Sequence, residues 1–127
     1  MELVALVIVL ALAQFFTFGI LVGRARGLYG VKAPATTGHE VFERWFRVHY
    51  NTMEILVLFV PSIWLFGLYV SPQIGAALGV VYLIGRVLYV RSYVRDPAAR
   101  GGGFGLSMLP TLILLVGAGI GAARALI

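Results

Sequence analysis

The chain has 127 residues, 61% of them hydrophobic and only 12% charged, with a mean hydropathy of +0.97. Soluble domains run at about 45–50% apolar residues, and crossing the hydrocarbon core takes about 20 in a row, so this length holds one membrane domain and excludes a separate soluble one. The net charge of +5 is gathered at or inside the ends of apolar stretches, which speaks for membrane topology and an anionic ligand and excludes a nucleic-acid binder, whose basic groups line a soluble face.

The first predicted helix covers residues 2–23, with Gln14 and Thr17 its notable polar members. It reads as a retained span, because Glu2 stands where a signal peptide has a basic n-region and the apolar run exceeds an h-region. Residues 24–40 read as a loop punctuated by Gly27, Gly30, Pro34 and Gly38. The second helix, residues 41–70, carries Pro61, where a kink is expected. Ser71-Pro72 ends it, since proline disfavours helical geometry in the residue before it. The third helix covers residues 73–95 and stops at Asp96-Pro97. Residues 96–105, with Gly101, Gly102 and Gly103 in a run, are expected to form a loop ahead of a fourth helix over residues 106–125. The fold class is an all-α membrane protein, a four-transmembrane-helix bundle forming one domain over residues 1–127.

The basic residues orient this bundle. Arg24, Arg26 and Lys32 lie in the first loop with Arg44 and Arg47 just beyond it, and Arg91, Arg95 and Arg100 cluster near the third connection. The connection between helices 2 and 3 is uncharged. The positive-inside rule puts loops 1 and 3 in the cytoplasm and both termini outside, with Arg124 alone dissenting. The shortness and the topology suit a bacterial inner membrane.

Several polar residues lie too deep for topology alone. The uncharged runs at residues 55–70 and 74–85 are shorter than a span, so Glu54, Arg86 and Asn51 come to membrane depth. Ionisable groups there cost about 2.5 kcal/mol or more unless they are paired or face a wet cavity. Arg47, Asn51 and Glu54 recur at helical spacing on one face, with Glu43 one turn earlier; Arg86, Tyr89 and Tyr93 do the same on helix 3. Two such stripes can hold a small anion that also carries an amine: Arg47 offers a fork to a carboxylate, Glu54 an acceptor for an ammonium, and Asn51 both donates and accepts. The chain has no cysteine, so any sulfur chemistry must come from a substrate. The residues alone leave a structural alternative open, in which Arg47 or Arg86 neutralises Glu54 and the tyrosines belong to an interfacial belt. His39 and His49 lack the further ligands a metal needs, and no metal is expected. Gly75 with Gly79, and Gly117 with Gly121, are small-residue pairs that allow close helix contact within or between subunits.

The segment Phe42-Glu43-Arg44-Trp45-Phe46-Arg47-Val48-His49-Tyr50-Asn51-Thr52-Met53-Glu54 resembles the signature of the MAPEG family, the membrane-associated proteins of eicosanoid and glutathione metabolism. Gly85-Arg86-Val87-Leu88-Tyr89-Val90-Arg91-Ser92-Tyr93 is similar to a second family segment, and Pro34-Ala35-Thr36-Thr37-Gly38 resembles the leukotriene C4 synthase branch. The resemblance implies a homotrimer with glutathione as co-substrate between neighbouring subunits. It implies that Arg26, Arg47, Asn51, Glu54, Tyr89 and Tyr93 contact glutathione, supported by Glu43 and Arg86, and that Arg100 stabilises the thiolate. The sequence departs from that branch at Ile55, where the branch has a tyrosine, and at Gly27, where it has a second arginine.

The leading expectation is a membrane-bound glutathione transferase that conjugates or reduces lipophilic electrophiles, with glutathione peroxidase activity as a further outcome and detoxification as the broad role. Its partners are glutathione, a hydrophobic electrophile or lipid from the bilayer, membrane lipids and its own copies. A non-catalytic lipid-binding scaffold of the same family is the alternative. A small multidrug exporter stands further off, because the embedded carboxylate lies in helix 2 beside Arg47 and not in helix 1.

Overall fold

The structure, a computed structural model, describes residues 1–127. It consists of α1 (Glu2–Leu28), α2 (Glu40–Tyr69), α3 (Pro72–Arg95) and α4 (Gly101–Arg124), with a turn of 3-10 helix over Pro97–Arg100 between the last two. All four helices are long and apolar enough to cross a membrane. Successive helices reverse direction, so the α1–α2 loop and the α3–α4 junction share one end of the bundle. The α2–α3 turn shares the other with the termini, where Gly67 packs on Met1 and Gly121 packs on Tyr69 and Val70.

Two boundaries differ from the sequence expectation. α1 continues past residue 23 to Leu28, so Arg24 and Arg26 are helical. Arginine, alanine and leucine are good helix formers, and the single Gly27 costs only about 1 kcal/mol. Val22 and Ala25 are also buried against Val31 and Phe42, which holds the extra turn in place. The chain leaves the helix at Gly30, whose φ of 66° few other residues adopt.

The second correction is at the glycine run, which is helix and not loop. Asp96 Oδ1 accepts the Ala98 N–H at 3.0 Å, Pro97 starts the 3-10 turn, and that turn leads directly into α4 at Gly101. The reason is contact with α3: a Cβ on Gly103 would collide with the backbone nitrogen of Tyr89, and one on Gly85 would lie 2.6 Å from the carbonyl carbon of Leu106. Backbone meets backbone here, and this packing overrides the poor intrinsic helix propensity of glycine.

At the α2–α3 turn, Ser71 Oγ accepts the Ile74 N–H at 3.3 Å, and Pro72 occupies a first-turn position where its missing N–H costs nothing. Pro61 stays within an unbroken α2. The core of this half is apolar, with Val4, Phe59, Ile63, Tyr82 and Leu114 from the four helices packed together. Gly79 receives Val7 and Ile63, and Gly117 receives the ring of Phe66. The two small-residue pairs therefore serve contacts within the chain. Against lipid tails there is little hydrophobic drive between helices, so such fitted contacts carry the association.

The other end is tied by hydrogen bonds. Arg44, early in α2, pairs with Glu40 and donates to the carbonyls of Val94 and Arg95 at 3.1 Å each. Those are among the last carbonyls of α3, which lack partners within their own helix.

Candidate functional site

The polar stripes of α2 and α3 meet, and Arg86 is where they join. Its side chain is fully buried, at 0% exposure. Both terminal nitrogens donate to Asn51 Oδ1 at 3.2 Å, and Nη2 also donates to Thr52 Oγ1 at 2.9 Å. The Thr52 hydroxyl in turn donates to the Val48 carbonyl at 2.7 Å. A guanidinium has five donors in a fixed plane, and here that plane lies over the Tyr89 ring, 4.2 Å from its centroid. The contact combines hydrogen bonding with a cation–π interaction in a desolvated setting.

This anchoring sets the orientation of Asn51. With its oxygen taken by Arg86, the amide nitrogen points the other way and donates to Glu54 Oε2 at 3.3 Å. Glu54 is exposed on the outer surface of the bundle. The ion pairs within the chain are Arg44 with Glu40 and the N-terminal amine with Glu2. Neither Arg47 nor Arg86 forms an ion pair with Glu54 within the chain, so that part of the structural alternative is not what the structure shows. A half-buried amide therefore holds an acidic group that has no ion-pair partner within the chain.

Tyr89 is the second focus. It is 3% exposed, and its ring lies 5.5 Å from that of Tyr93 and 6.3 Å from that of Phe104 on α4. Arg47 is exposed, with its guanidinium 6.0 Å from the Tyr50 ring. Arg100 ends the 3-10 turn, exposed, and donates to the Pro97 carbonyl at 3.0 Å. Of the three arginines, Arg86 is the one in contact with Tyr89.

Two of the expected residues, Arg26 and Glu43, make their hydrogen bonds to the first loop and not to the Arg86–Asn51 network. Arg26 sits in the last turn of α1, donates to the Ala35 carbonyl at 2.7 Å and the Val31 carbonyl at 3.4 Å, and lies 4.7 Å above the Phe42 ring. It fixes the course of its own loop. Glu43 does likewise, accepting the Gly38 N–H at 2.9 Å. His39 caps α2 through the Val41 N–H and stacks on Tyr29, while His49 stacks on Phe15, 4.4 Å away. Ile55 is buried in the apolar core, so this position offers no hydroxyl to a ligand.

Thr52 and the Gly85–Gly103 crossing are not singled out by the sequence. A threonine in an apolar helix commonly bonds back to its own backbone, and Thr52 does so; only the course of α3 reveals its second bond, to Arg86. Phe104 is hidden for the same reason, lying in a stretch that reads as loop.

Four helices long and apolar enough to cross a membrane, joined at one end by a buried arginine hub, define an integral membrane protein. The chain belongs to the MAPEG family, whose pattern it matches over residues 4–120. It is 38% identical over 117 residues to microsomal glutathione S-transferase 2 of Homo sapiens, covering 91% of this chain and 80% of that protein. It is 50% identical over 114 residues to an uncharacterized protein of Synechocystis, covering 90% and 83%. With leukotriene C4 synthase of Cavia porcellus it shares 37% identity over 83 residues, 65% of this chain and 55% of that enzyme.

Proposed function

We propose that this protein is a glutathione transferase acting on lipophilic electrophiles drawn from the bilayer. The observation that carries the reading is the pair of uncompensated charges, Arg47 and Glu54, set on one α2 face beside an Asn51 whose orientation Arg86 dictates. Glutathione brings two carboxylates, an amine and a thiol. Arg47 takes a carboxylate in a forked contact, Glu54 takes the ammonium, and Asn51 bonds to the peptide backbone of the ligand. Tyr89 and Tyr93 line the thiol end, and Arg26 reaches a carboxylate with the donors its loop carbonyls leave free.

The chemistry then rests on Arg100. A thiol near a guanidinium ionises more readily, each pKa unit corresponding to about 1.4 kcal/mol. The thiolate lone pair forms a carbon–sulfur bond to the electrophile as its leaving group departs. Glutathione enters from the cytoplasmic end, where loops 1 and 3 lie, and the electrophile arrives laterally from the membrane. The site is closed by a neighbouring copy in a homotrimer. Support comes from the outward direction of Arg47 and Glu54, and from the microsomal glutathione S-transferase 2 and leukotriene C4 synthase relatives.

The test is glutathione binding to the detergent-purified protein by calorimetry, with thiolate absorbance followed in the ultraviolet. Saturable binding with a thiolate signal at neutral pH is expected, the affinity falling roughly tenfold or more in Arg47→Ala, as loss of a charge-assisted fork implies. Arg100→Ala should keep most of the binding while losing the thiolate signal and turnover. An absence of binding at millimolar glutathione in folded protein would replace the transferase with the lipid-binding scaffold.

A further inference from the structure

On the opposite side of α3 from Arg86, Tyr89 and Tyr93 lies a second polar feature. At 100° per residue, Arg91 and Arg95 point away from the tyrosine stripe, and together with Ser92, Asp96 and Ala99 they line a cleft of about 390 Å³. Both arginines are exposed, and neither joins an ion pair within the chain. Like charges one turn apart on a helix repel by a few tenths of a kcal/mol unless an anion lies between them. Asp96 shares the cleft without pairing to either arginine; its Oδ1 accepts the Ala98 N–H, which leaves the other carboxylate oxygen free.

The position along the membrane is equally specific. With 24 residues, α3 is about 36 Å long at 1.5 Å per residue, against about 30 Å of hydrocarbon, so its last turns reach the headgroup layer. Ala77, Val81, Ile84 and Leu88 are exposed, and they lead into Arg91 and Arg95 at alternating spacings of four and three, a single ridge along the helix. An apolar track thus ends in two cations and one carboxylate.

We infer that this cleft binds the headgroup of an amine-bearing phospholipid. The phosphodiester lies between Arg91 and Arg95, the primary ammonium meets Asp96, and the acyl chains run along the ridge from Ala77 to Leu88. An ethanolamine headgroup fits this pattern better than choline, whose quaternary nitrogen has no N–H to donate, and better than glycerol, which has no cation. The site is separate from the glutathione site and does not depend on that assignment.

The experiment is native mass spectrometry of the detergent-purified full chain, with dioleoyl phosphatidylethanolamine, phosphatidylglycerol and phosphatidylcholine added in turn. Inorganic phosphate and soluble glycerophosphoethanolamine are used as competitors. The wild type should retain phosphatidylethanolamine in preference to the other two. Arg91→Gln with Arg95→Gln should lower retention roughly tenfold, the scale of lost charge-assisted contacts, while Arg124→Gln at the other end of the bundle leaves it unchanged. Asp96→Asn should remove the preference for ethanolamine over glycerol and keep the lipid bound. Ser92→Trp, which fills the cleft and keeps both charges, should also lose the lipid. Size exclusion and circular dichroism verify that each variant is folded. Equal retention by the wild type and by folded double or Ser92→Trp variants would overturn the site. Displacement of the lipid by inorganic phosphate would make it a free-anion site and overturn the lipid reading, and an ethanolamine preference that survives Asp96→Asn would overturn the role of Asp96.

Discussion

The two ends of this bundle are made by the same four helices and held by different means. Toward the termini, contact is mostly a matter of shape: aromatic and branched side chains settle onto glycines, as Phe66 does on Gly117 and Val7 on Gly79, with the Tyr69 carbonyl against Gly121 the one close backbone contact. Toward the loops, a buried guanidinium binds α3 to α2, and the α3–α4 contact is backbone against backbone. The difference teaches where a membrane protein can afford rigidity. A side chain resting on a glycine can turn aside, whereas a backbone crossing and a hydrogen-bonded hub cannot, and the candidate site is built on the stiffer pair.

The sharpest way to break this contrast is Gly103→Ala. Its new methyl would sit on the Tyr89 backbone, so α3 and α4 must separate and Tyr89 must move. A loss of about 3 kcal/mol is expected, at the upper end for overpacking, together with loss of glutathione binding; a variant with wild-type melting temperature would show that the crossing is looser than described. Next is Arg86→Met, which leaves Asn51 Oδ1 without its buried donors. About 2 kcal/mol of stability should go, and glutathione affinity should fall roughly tenfold as the Asn51 amide is freed to turn. Calorimetry showing unchanged affinity would separate the hub from the site.

Gly117→Ala tests the softer end. The methyl's nearest contacts are with the Phe66 ring, so about 1 kcal/mol is expected with glutathione affinity intact; a larger loss than in Gly103→Ala would reverse the comparison. The smallest effect has the opposite sign. Gly102 is helical with nothing near its missing Cβ, so Gly102→Ala should raise stability by about 0.5–1 kcal/mol in thermal unfolding. A decrease would contradict a helical start to α4.

Much of the fold was legible because its boundaries rest on local chemistry. Ser71-Pro72 and Asp96-Pro97 each pair a capping side chain with a proline that disfavours helix in the residue before it, and the structure ends α2 and α3 there. The glycine run misleads because glycine has two meanings, chain breaker and contact surface, and the second depends on a partner distant in sequence. Gly103 faces Tyr89, and no local window contains both. At the site, helical spacing foresees that the Arg86 and Asn51 stripes meet. It does not foresee that Arg86 binds the amide and Thr52 and leaves Glu54 uncompensated. Arg26 could not be placed either, since its partners are loop carbonyls whose position follows from the turn after Gly30.

Arg44 closes the end of α3 with donors from another helix. A helix terminus ordinarily has to sit where water can reach its last carbonyls. Here Arg44 supplies N–H groups to two of those carbonyls, so they keep partners in water and among headgroups alike. Differences of a few ångströms in hydrocarbon thickness between membranes would therefore leave the final turn of α3 closed.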